Sequence, residues 1–162
     1  MPKPVKGMRK GFHAITPGLV VKGADRAIEF YKKAFGAEES VRMSGPDGRS
    51  IMHAELRIGD SIFFVGEENP EMGALSPQTI GGTPVTMNLY VTDADAVFKR
   101  AVDAGAQVKM PVADMFWGDR YGKIIDPFGH GWGIGTPKEE LTPDEMRQRS
   151  KEFFAKMASQ KH

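Results

Sequence analysis

The sequence contains no cysteine, which excludes disulfides, thiolate metal sites and cysteine nucleophiles and fits a reducing, cytoplasmic location. It has no apolar run of the roughly 18 to 20 residues that a membrane-spanning helix requires, so no membrane partner is expected. The net charge is only +1, which gives no support for nucleic acid as a partner. Phosphate-loop, G-x-S-x-G and H-E-x-x-H patterns are also absent, which sets aside P-loop, serine-hydrolase and zincin chemistry.

What is present has the composition of a globular domain. The chain has 162 residues, of which 40% are hydrophobic and 27% are charged, and this suffices for one core. Residues 1–12 form a basic N-terminal arm that lacks the apolar run of a secretory signal and is expected to be a solvated tail. Residues 13–136 are predicted to form a single domain, and residues 137–162 a C-terminal helical extension.

The chain contains an internal repeat of a strand, a helix and further strands. The segments 14–21 and 83–91 are strand-like, and each precedes a helical pattern that ends just before a glycine, Gly36 or Gly105. The two helices are predicted at 25–35 and 94–104. Further strands are predicted at 39–43, 50–58, 61–66, 107–109, 121–126 and 131–136. The repeat divides the domain into module one (13–66), a linker (67–82) and module two (83–136).

Residues along these strands alternate between an apolar and a polar face. The apolar residues, which we expect to pack against the helices, are Ile15, Leu19, Val21, Met52, Ala54, Leu56, Ile58, Val85, Met87, Leu89 and Val91. The opposite face carries polar residues and glycines, namely Thr16, Gly18, His53, Glu55, Arg57, Thr86, Asn88, Tyr90, Gly131, Gly133 and Gly135. If the two modules curl their sheets together, this second face lines a cleft. The alternative is that it faces bulk solvent.

The C-terminal extension begins with a capping box, because Thr142 is followed by Pro143 and, three residues on, by Glu145. Met146, Phe153 and Met157 form an apolar stripe behind it. We expect this stripe to dock on the domain of the same chain, with a partner subunit as the alternative.

Several segments, in this order, resemble the vicinal oxygen chelate superfamily of glyoxalases, bleomycin-resistance proteins and extradiol dioxygenases. They are 19–21, 24–31 and 35–36 for its first module and 117–122 and 126–132 for its second, within a match over 15–141. The segment His53–Asp60 is similar to the PhnB-like branch. The resemblance implies an α+β fold in which two βαβββ modules form a cupped mixed sheet with helices on the outer face. It also implies a homodimer and a small-molecule ligand on the concave face.

The resemblance further implies where a metal would bind. Enzymes of the superfamily hold a divalent ion with four His or Glu residues, taken from the first and last strands of each module. Carried over, these positions are Thr16, Glu55, Thr86 and Gly133, of which only Glu55 is a credible ligand. No metal or other cofactor is therefore expected. The alternative is a displaced Mn, Fe, Co, Ni or Zn ion on His53 and Glu55. Further donors for that ion would be Asn88, His13 and His130, although these histidines and His162 do not cluster by spacing.

Two functions of different classes follow. The first is a protein that binds a small organic molecule in the cleft without converting it, as drug-sequestering relatives do. The candidate ligand-binding residues are Thr16, His53, Arg57, Thr86, Asn88, Tyr90, Phe116, Trp117 and Arg120. The second is a metal-dependent lyase, isomerase or dioxygenase that uses Glu55 and His53. A domain that mediates interactions and has no specific small ligand is a third possibility.

Glu55 is also the candidate catalytic residue without a metal. In a partly apolar cleft its pKa would rise, which suits a general base, while Arg57 and Arg120 would hold a carboxylate or phosphate. The alternative is a polar pair of Glu55 with Arg57 or His53 that only orders the cleft.

Module two also carries an aromatic and thioether group, made up of Met110, Met115, Phe116, Trp117 and Trp132. Such a group suits either the wall of a site for a flat ligand or a core or dimer contact. Trp132 is predicted to be a core residue, because its position in the strand sets it opposite the glycine face.

Overall fold

The computed structural model describes residues 1–4 and 6–161, so Val5 of the arm and His162 lie outside the described residues. Module one contains β1 (Gly18–Val21), α1 (Ala24–Phe35), β2 (Glu38–Ser44), β3 (Ile51–Ile58) and β4 (Ser61–Glu67). The linker contains a 3-10 turn (Pro70–Met72) and α2 (Pro77–Ile80). Module two contains β5 (Thr86–Tyr90), α3 (Ala94–Asp103), β6 (Gln107–Asp114), β7 (Asp119–Ile125) and β8 (Gly131–Pro137), and α4 (Pro143–Ser159) follows it.

The modules form two mixed sheets of four strands with the same topology, in the orders β1-β4-β3-β2 and β5-β8-β7-β6. The first strand of each module pairs in parallel with the last, and the other pairs are antiparallel. Gly18 lies opposite Phe64, and Asn88 lies opposite Gly133. The predicted α+β fold class of two βαβββ modules with a C-terminal helix is confirmed.

The helices begin and end for local reasons. The carboxylate of Glu67, at the end of β4, accepts hydrogen bonds from the N–H groups of Gly23 and Ala24 and so caps α1. The helix ends at Gly36, whose φ of 68° is a left-handed conformation that glycine adopts without a Cβ clash. Asp93 caps α3 through the N–H of Ala96.

The core lies where the two modules meet, and Asp126 joins them. Its buried carboxylate accepts hydrogen bonds from Tyr31 Oη at 2.6 Å, from Trp132 Nε1 at 2.9 Å and from the N–H groups of Phe128 and His130. The rings of Phe35 and Trp132 lie 4.7 Å apart between the modules. Since Trp132 is only 3% exposed, its prediction as a core residue is confirmed.

Three residues of the predicted apolar face are exposed instead of packed. Ile15 is 85% exposed and Val85 is 61% exposed, because β1 and β5 begin only at Gly18 and Thr86. Met52 is 47% exposed, while its neighbour Ile51 is buried. The pairing of β2 with β3 shifts register between Met43 and Ser44, so the alternation of faces breaks at this end of the hairpin.

β6 is longer than predicted, and α4 is more exposed than predicted. β6 continues to Asp114, through Pro111, because it is an edge strand and an edge strand tolerates a missing N–H. The predicted capping box of α4 is present at Thr142 and Glu145, and Phe153 of its apolar stripe contacts Phe116 of module two at 4.9 Å, although no residue of the helix is buried. No helix among residues 1–4 and 6–161 is long and apolar enough to cross a bilayer.

Candidate functional site

The polar residues predicted to share a cleft lie on two separate surfaces. The module-one face is the side of the first sheet that carries His53, Glu55 and Phe64. The module-two face is the side of the second sheet that carries Asn88, Tyr90, Tyr121, Gly133 and Gly135. Within the described part of the chain, no strand pairing joins the two sheets.

The module-one face is covered by the N-terminal arm. Arg9 Nη1 and Nη2 donate to the two carboxylate oxygens of Glu55 at 2.9 and 3.1 Å, and Glu55 is 6% exposed. The guanidinium of Arg9 lies 4.2 Å from the centre of the Phe12 ring, which in turn lies 6.0 Å from the ring of Phe64. The expectation that the arm is a solvated tail is therefore wrong at Arg9 and Phe12.

The charge state of Glu55 follows from this contact. The bidentate hydrogen bond from Arg9 lowers the pKa of Glu55 and outweighs burial, which acts in the opposite direction. The expectation that the cleft raises this pKa is therefore wrong. His53 Nε2 lies 3.6 Å from Glu55 Oε1, and the His53 ring packs on Phe64 at 4.7 Å. Both oxygens of Glu55 are thus occupied by residues of the same chain.

On the module-two face, the space left by the glycines is filled by Tyr121. A Cβ at Gly133 would lie 2.0 Å from Tyr121 Oη, and one at Gly135 would lie 3.1 Å from Tyr121 Cδ2. Tyr121 Oη donates to Asn88 Oδ1 at 2.7 Å, and burial raises the pKa of this phenol. Sequence reasoning missed Tyr121. No local pattern in the sequence indicates it, because its position opposite Gly135 depends on the register of β7 with β8.

Aromatic rings extend the module-two face outward. The ring of Trp117 packs edge-on against Tyr121 at 5.6 Å, and its Nε1 donates to Asp119 at 3.0 Å. Phe116 packs on Trp117 at 5.1 Å and on Phe153 of α4 at 4.9 Å. Tyr90, which is 61% exposed, lies beside Gly135. Asn88, Tyr90, Phe116 and Trp117 of the predicted ligand set are therefore brought onto or next to one surface.

Thr86 also belongs to the module-two face, because it lies two residues before Asn88 on β5, opposite Gly131, and it is exposed. Thr16 precedes β1 and donates to the carbonyl of His13. Arg57 donates to Glu38 at 2.6 Å in an exposed pair at the edge of the module-one face.

Arg120 faces the helices and not the glycine strand. Its guanidinium pairs with Asp95, at the start of α3, and with Asp114. These two carboxylates raise the pKa of Arg120 further, so its charge is fixed and already paired. Arg120 also lies opposite Thr136, whose hydroxyl accepts from the N–H of Ala94 at the start of α3.

The superfamily's metal site does not fit the residues at its positions. The resemblance places a metal ligand of module one on its last strand, which is β4. Glu55 lies instead on β3, and the residue of β4 opposite Gly18 is Phe64. Glu55 therefore does not occupy the ligand position that the resemblance assigned to it. At Gly133, the equivalent position in module two, there is no side chain, and Tyr121 takes its place. Thr16 and Thr86 offer only hydroxyls. Across residues 1–4 and 6–161, no three His, Asp or Glu side chains are close enough to hold one ion.

Comparisons with known proteins agree with this architecture. An uncharacterized protein of Mycobacterium tuberculosis is 47% identical over 137 residues, which cover 83% of this chain and 80% of that protein. Among solved structures, an Arabidopsis thaliana gene product matches with a TM-score of 0.61 and 32% identity, covering 76% of this chain and 98% of that one. TioX from Micromonospora matches with a TM-score of 0.62 and 27% identity, covering 76% of this chain and 97% of TioX.

A family model decides the assignment, because it matches residues 11–134 and therefore includes both modules. The chain belongs to the Glyoxalase/Bleomycin resistance protein/Dioxygenase superfamily.

Proposed function

We propose that this protein binds a small, flat organic molecule on the module-two face and does not convert it. The observation that carries the proposal is the glycine-lined strand β8 with the rings of Tyr90, Tyr121 and Trp117 around it. Flat ligands stack on such rings, and glycines let a ligand approach the sheet closely. The proposed site requires no metal or other cofactor.

A polar anchor for the ligand is provided by Asn88 and Tyr121. Asn88 Oδ1 already accepts the Tyr121 hydroxyl proton, which orients the amide so that its NH₂ group remains a donor. Tyr121 Oη keeps a lone pair that accepts a further hydrogen bond. The pair therefore favours a ligand with a carbonyl or hydroxyl at the edge of an aromatic ring.

Part of the proposal is that two copies assemble and cover the open faces. Ile15, Val85 and Tyr90 are exposed apolar or aromatic side chains at the ends of β1 and β5. Burying them against a second copy would stabilise a dimer by roughly 25 cal/mol per Å² of apolar surface. Light scattering coupled to gel filtration tests this, and a monomeric mass at a protein concentration of about 0.1 mM would contradict it. We also propose a cytoplasmic location, because the chain has no cysteine and so lacks the disulfides that are common in secreted domains.

A metal-dependent lyase, isomerase or dioxygenase that uses Glu55 and His53 is the alternative, and a place in the PhnB-like branch rests on the segment His53–Asp60 alone. The contact of both Glu55 oxygens with Arg9 disfavours this alternative. Titration of the protein with Mn, Fe, Co, Ni and Zn ions, read by thermal unfolding, tests it. A stoichiometric ion that is lost in Glu55→Gln would establish a metal site at this position.

The binding proposal is tested with neutral naphthalene derivatives that carry a hydroxyl or amide, read by tryptophan fluorescence. Because the protein has two tryptophans, the Trp117→Phe variant identifies the part of the signal that comes from Trp117. We expect Tyr90→Ala to weaken binding by about tenfold, since an aromatic pair contributes about 0.5–1.5 kcal/mol beyond the area it buries. Asn88→Ala should weaken ligands with a polar edge more than unsubstituted naphthalene.

Phe12→Ala is the matched control, because it removes a ring from the module-one face instead. It should leave naphthalene binding unchanged. If no compound changes Trp117 emission, or if Phe12→Ala and Tyr90→Ala weaken binding equally, the module-two face is not the binding site.

A further inference from the structure

A cavity of about 640 Å³ lies between the two modules, and Asn88 and Tyr90, at the edge of the module-two face, belong to its lining. It is bounded by the β3–β4 turn, β5, α3 and the segment before β1. Its volume falls within the range of roughly 300–1,000 Å³ typical of small-molecule sites. We call it the inter-module cavity.

The apolar part of the cavity consists of side chains that belong to the core but are not fully buried. Met87 and Leu89 of β5, Val91 just after β5 and Ile58 at the end of β3 pack against the core. All four are only partly buried. Phe35, Phe63 and Trp132 form the buried wall behind them. Partly exposed aliphatic groups beside a buried wall leave apolar surface that an aliphatic ligand would remove from water.

The rim of the cavity carries two basic side chains, Arg100 and His13. Arg100 lies one turn after Val97 on α3, so both residues face the same side of the helix. Within residues 1–4 and 6–161, Arg100 takes part in no ion pair, in contrast to Arg120 and Arg149. Asp60 is the acid on the same rim, and it accepts a hydrogen bond from Ser61.

We propose that the inter-module cavity is a second binding site, which takes a medium-chain aliphatic carboxylate. The chain packs against Met87, Leu89 and Val91, and the carboxylate pairs with Arg100 at the rim. A guanidinium forms two parallel hydrogen bonds with a carboxylate, which fixes the orientation of the ligand. A chain of about eight carbons fits a site of this size. The proposal does not depend on ligand binding at the module-two face.

Octanoate is the probe, and 1-octanol is its uncharged analogue. The protein has two tryptophans, so Trp117→Phe leaves Trp132, in the cavity wall, as the only one. In that variant we expect saturable octanoate binding that changes Trp132 emission. Octanol should bind about tenfold more weakly, because it cannot form the charge-assisted hydrogen bonds that a carboxylate forms with a guanidinium.

Three further substitutions in the same background test the roles of the lining residues. Arg100→Gln should weaken octanoate about tenfold and leave octanol unchanged. The matched control is Arg49→Gln, since Arg49 is exposed on the β2–β3 turn and should not affect either ligand. Leu89→Phe should weaken both ligands because it fills the cavity, and Asp60→Asn should tighten octanoate by about two- to threefold through loss of a like charge.

The proposal is overturned if octanoate does not change Trp132 emission, or if octanoate and octanol bind equally and Arg100→Gln affects neither. It is also overturned if octanoate changes the emission of the unsubstituted protein but not that of the Trp117→Phe variant, because the ligand then occupies the module-two face. Arg100→Gln should leave the binding of neutral naphthalene derivatives unchanged, because Arg100 lines the cavity and not the module-two face. A failure of one proposal is therefore distinguishable from a failure of the other.

Discussion

The two open sheet faces have the same topology but are filled in opposite ways. On the module-one face a segment from outside the sheet, residues 9 to 12, is laid over Glu55 and held by an ion pair. On the module-two face a residue of the sheet itself, Tyr121, lies over the glycines of the neighbouring strand. The first cover can be displaced without unfolding the sheet, whereas the second is part of the sheet. The two modules of the repeat therefore differ in whether the cover of the sheet face can move away from it.

The largest expected effect on the free energy of unfolding comes from adding a side chain to the glycine-containing strand β8. Gly133→Ala would place a Cβ 2.0 Å from Tyr121 Oη and 2.4 Å from Asn88 Oδ1, so the phenol must move. We expect a loss of about 3 kcal/mol in the free energy of unfolding, typical of an overpacked site. Urea denaturation measures it.

Gly131→Ala is the control for this substitution, since it lies on the same strand and the same face. A Cβ there would meet its nearest atoms at 3.6 Å, which is ordinary contact. We expect a change of less than about 1 kcal/mol. Equal losses for Gly131→Ala and Gly133→Ala would show that the strand, and not the contact with Tyr121, is sensitive to substitution.

The cover of module one should contribute less. Arg9→Gln removes the ion pair with Glu55 and should reduce the free energy of unfolding by about 1 kcal/mol at pH 7, the upper end for a partly exposed pair. Since Arg9 lowers the pKa of Glu55 in the folded state, this contribution is complete above the unfolded-state value of about 4.3. It is lost as the pH falls through the lower folded-state value.

Urea denaturation of Arg9→Gln and of the unsubstituted protein, at pH values from about 3 to 7 that span the glutamate pKa, measures the difference in their free energies of unfolding. Arg57→Gln is the control, because the Arg57–Glu38 pair is exposed on both sides and should contribute less than about 0.5 kcal/mol. A difference between Arg9→Gln and the unsubstituted protein that does not shrink in acid would show that Glu55 is not the partner that matters.

This contrast explains which features the sequence could predict. Both main helices and the capping box at Thr142 depend on residues within four or five positions of one another, and they were predicted well. The Arg9–Glu55 pair joins residues 46 positions apart, and no local pattern indicates it. The filling of Gly133 by Tyr121 depends on the register of β7 with β8. Met52 was placed on the wrong face because one register shift near Ser44 reverses the alternation.

Removing only the polar contact on the module-two face should have a smaller effect than Gly133→Ala. Tyr121→Phe deletes the hydrogen bond to Asn88 but keeps the ring over Gly133, so the loss should be about 1 kcal/mol. Burial raises the pKa of Tyr121, so its contribution is complete below the unfolded-state value of about 10 and is lost as the pH rises through the folded-state value. Tyr90→Phe is the exposed control, and an equal loss there would contradict the role of the Asn88 contact.

The smallest effect should come from α4, which tests whether module two also has a cover from outside the sheet. Phe153 touches Phe116 at 4.9 Å but is 41% exposed, and no residue of α4 is buried. Phe153→Ser should therefore change the free energy of unfolding by less than about 0.5 kcal/mol, as exposed substitutions do. In hydrogen exchange, the amides of α4 should exchange well before those of α1, whose apolar face is buried. If α4 exchanges as slowly as α1, a second copy of the chain covers it, and module two is closed from outside in the same way as module one.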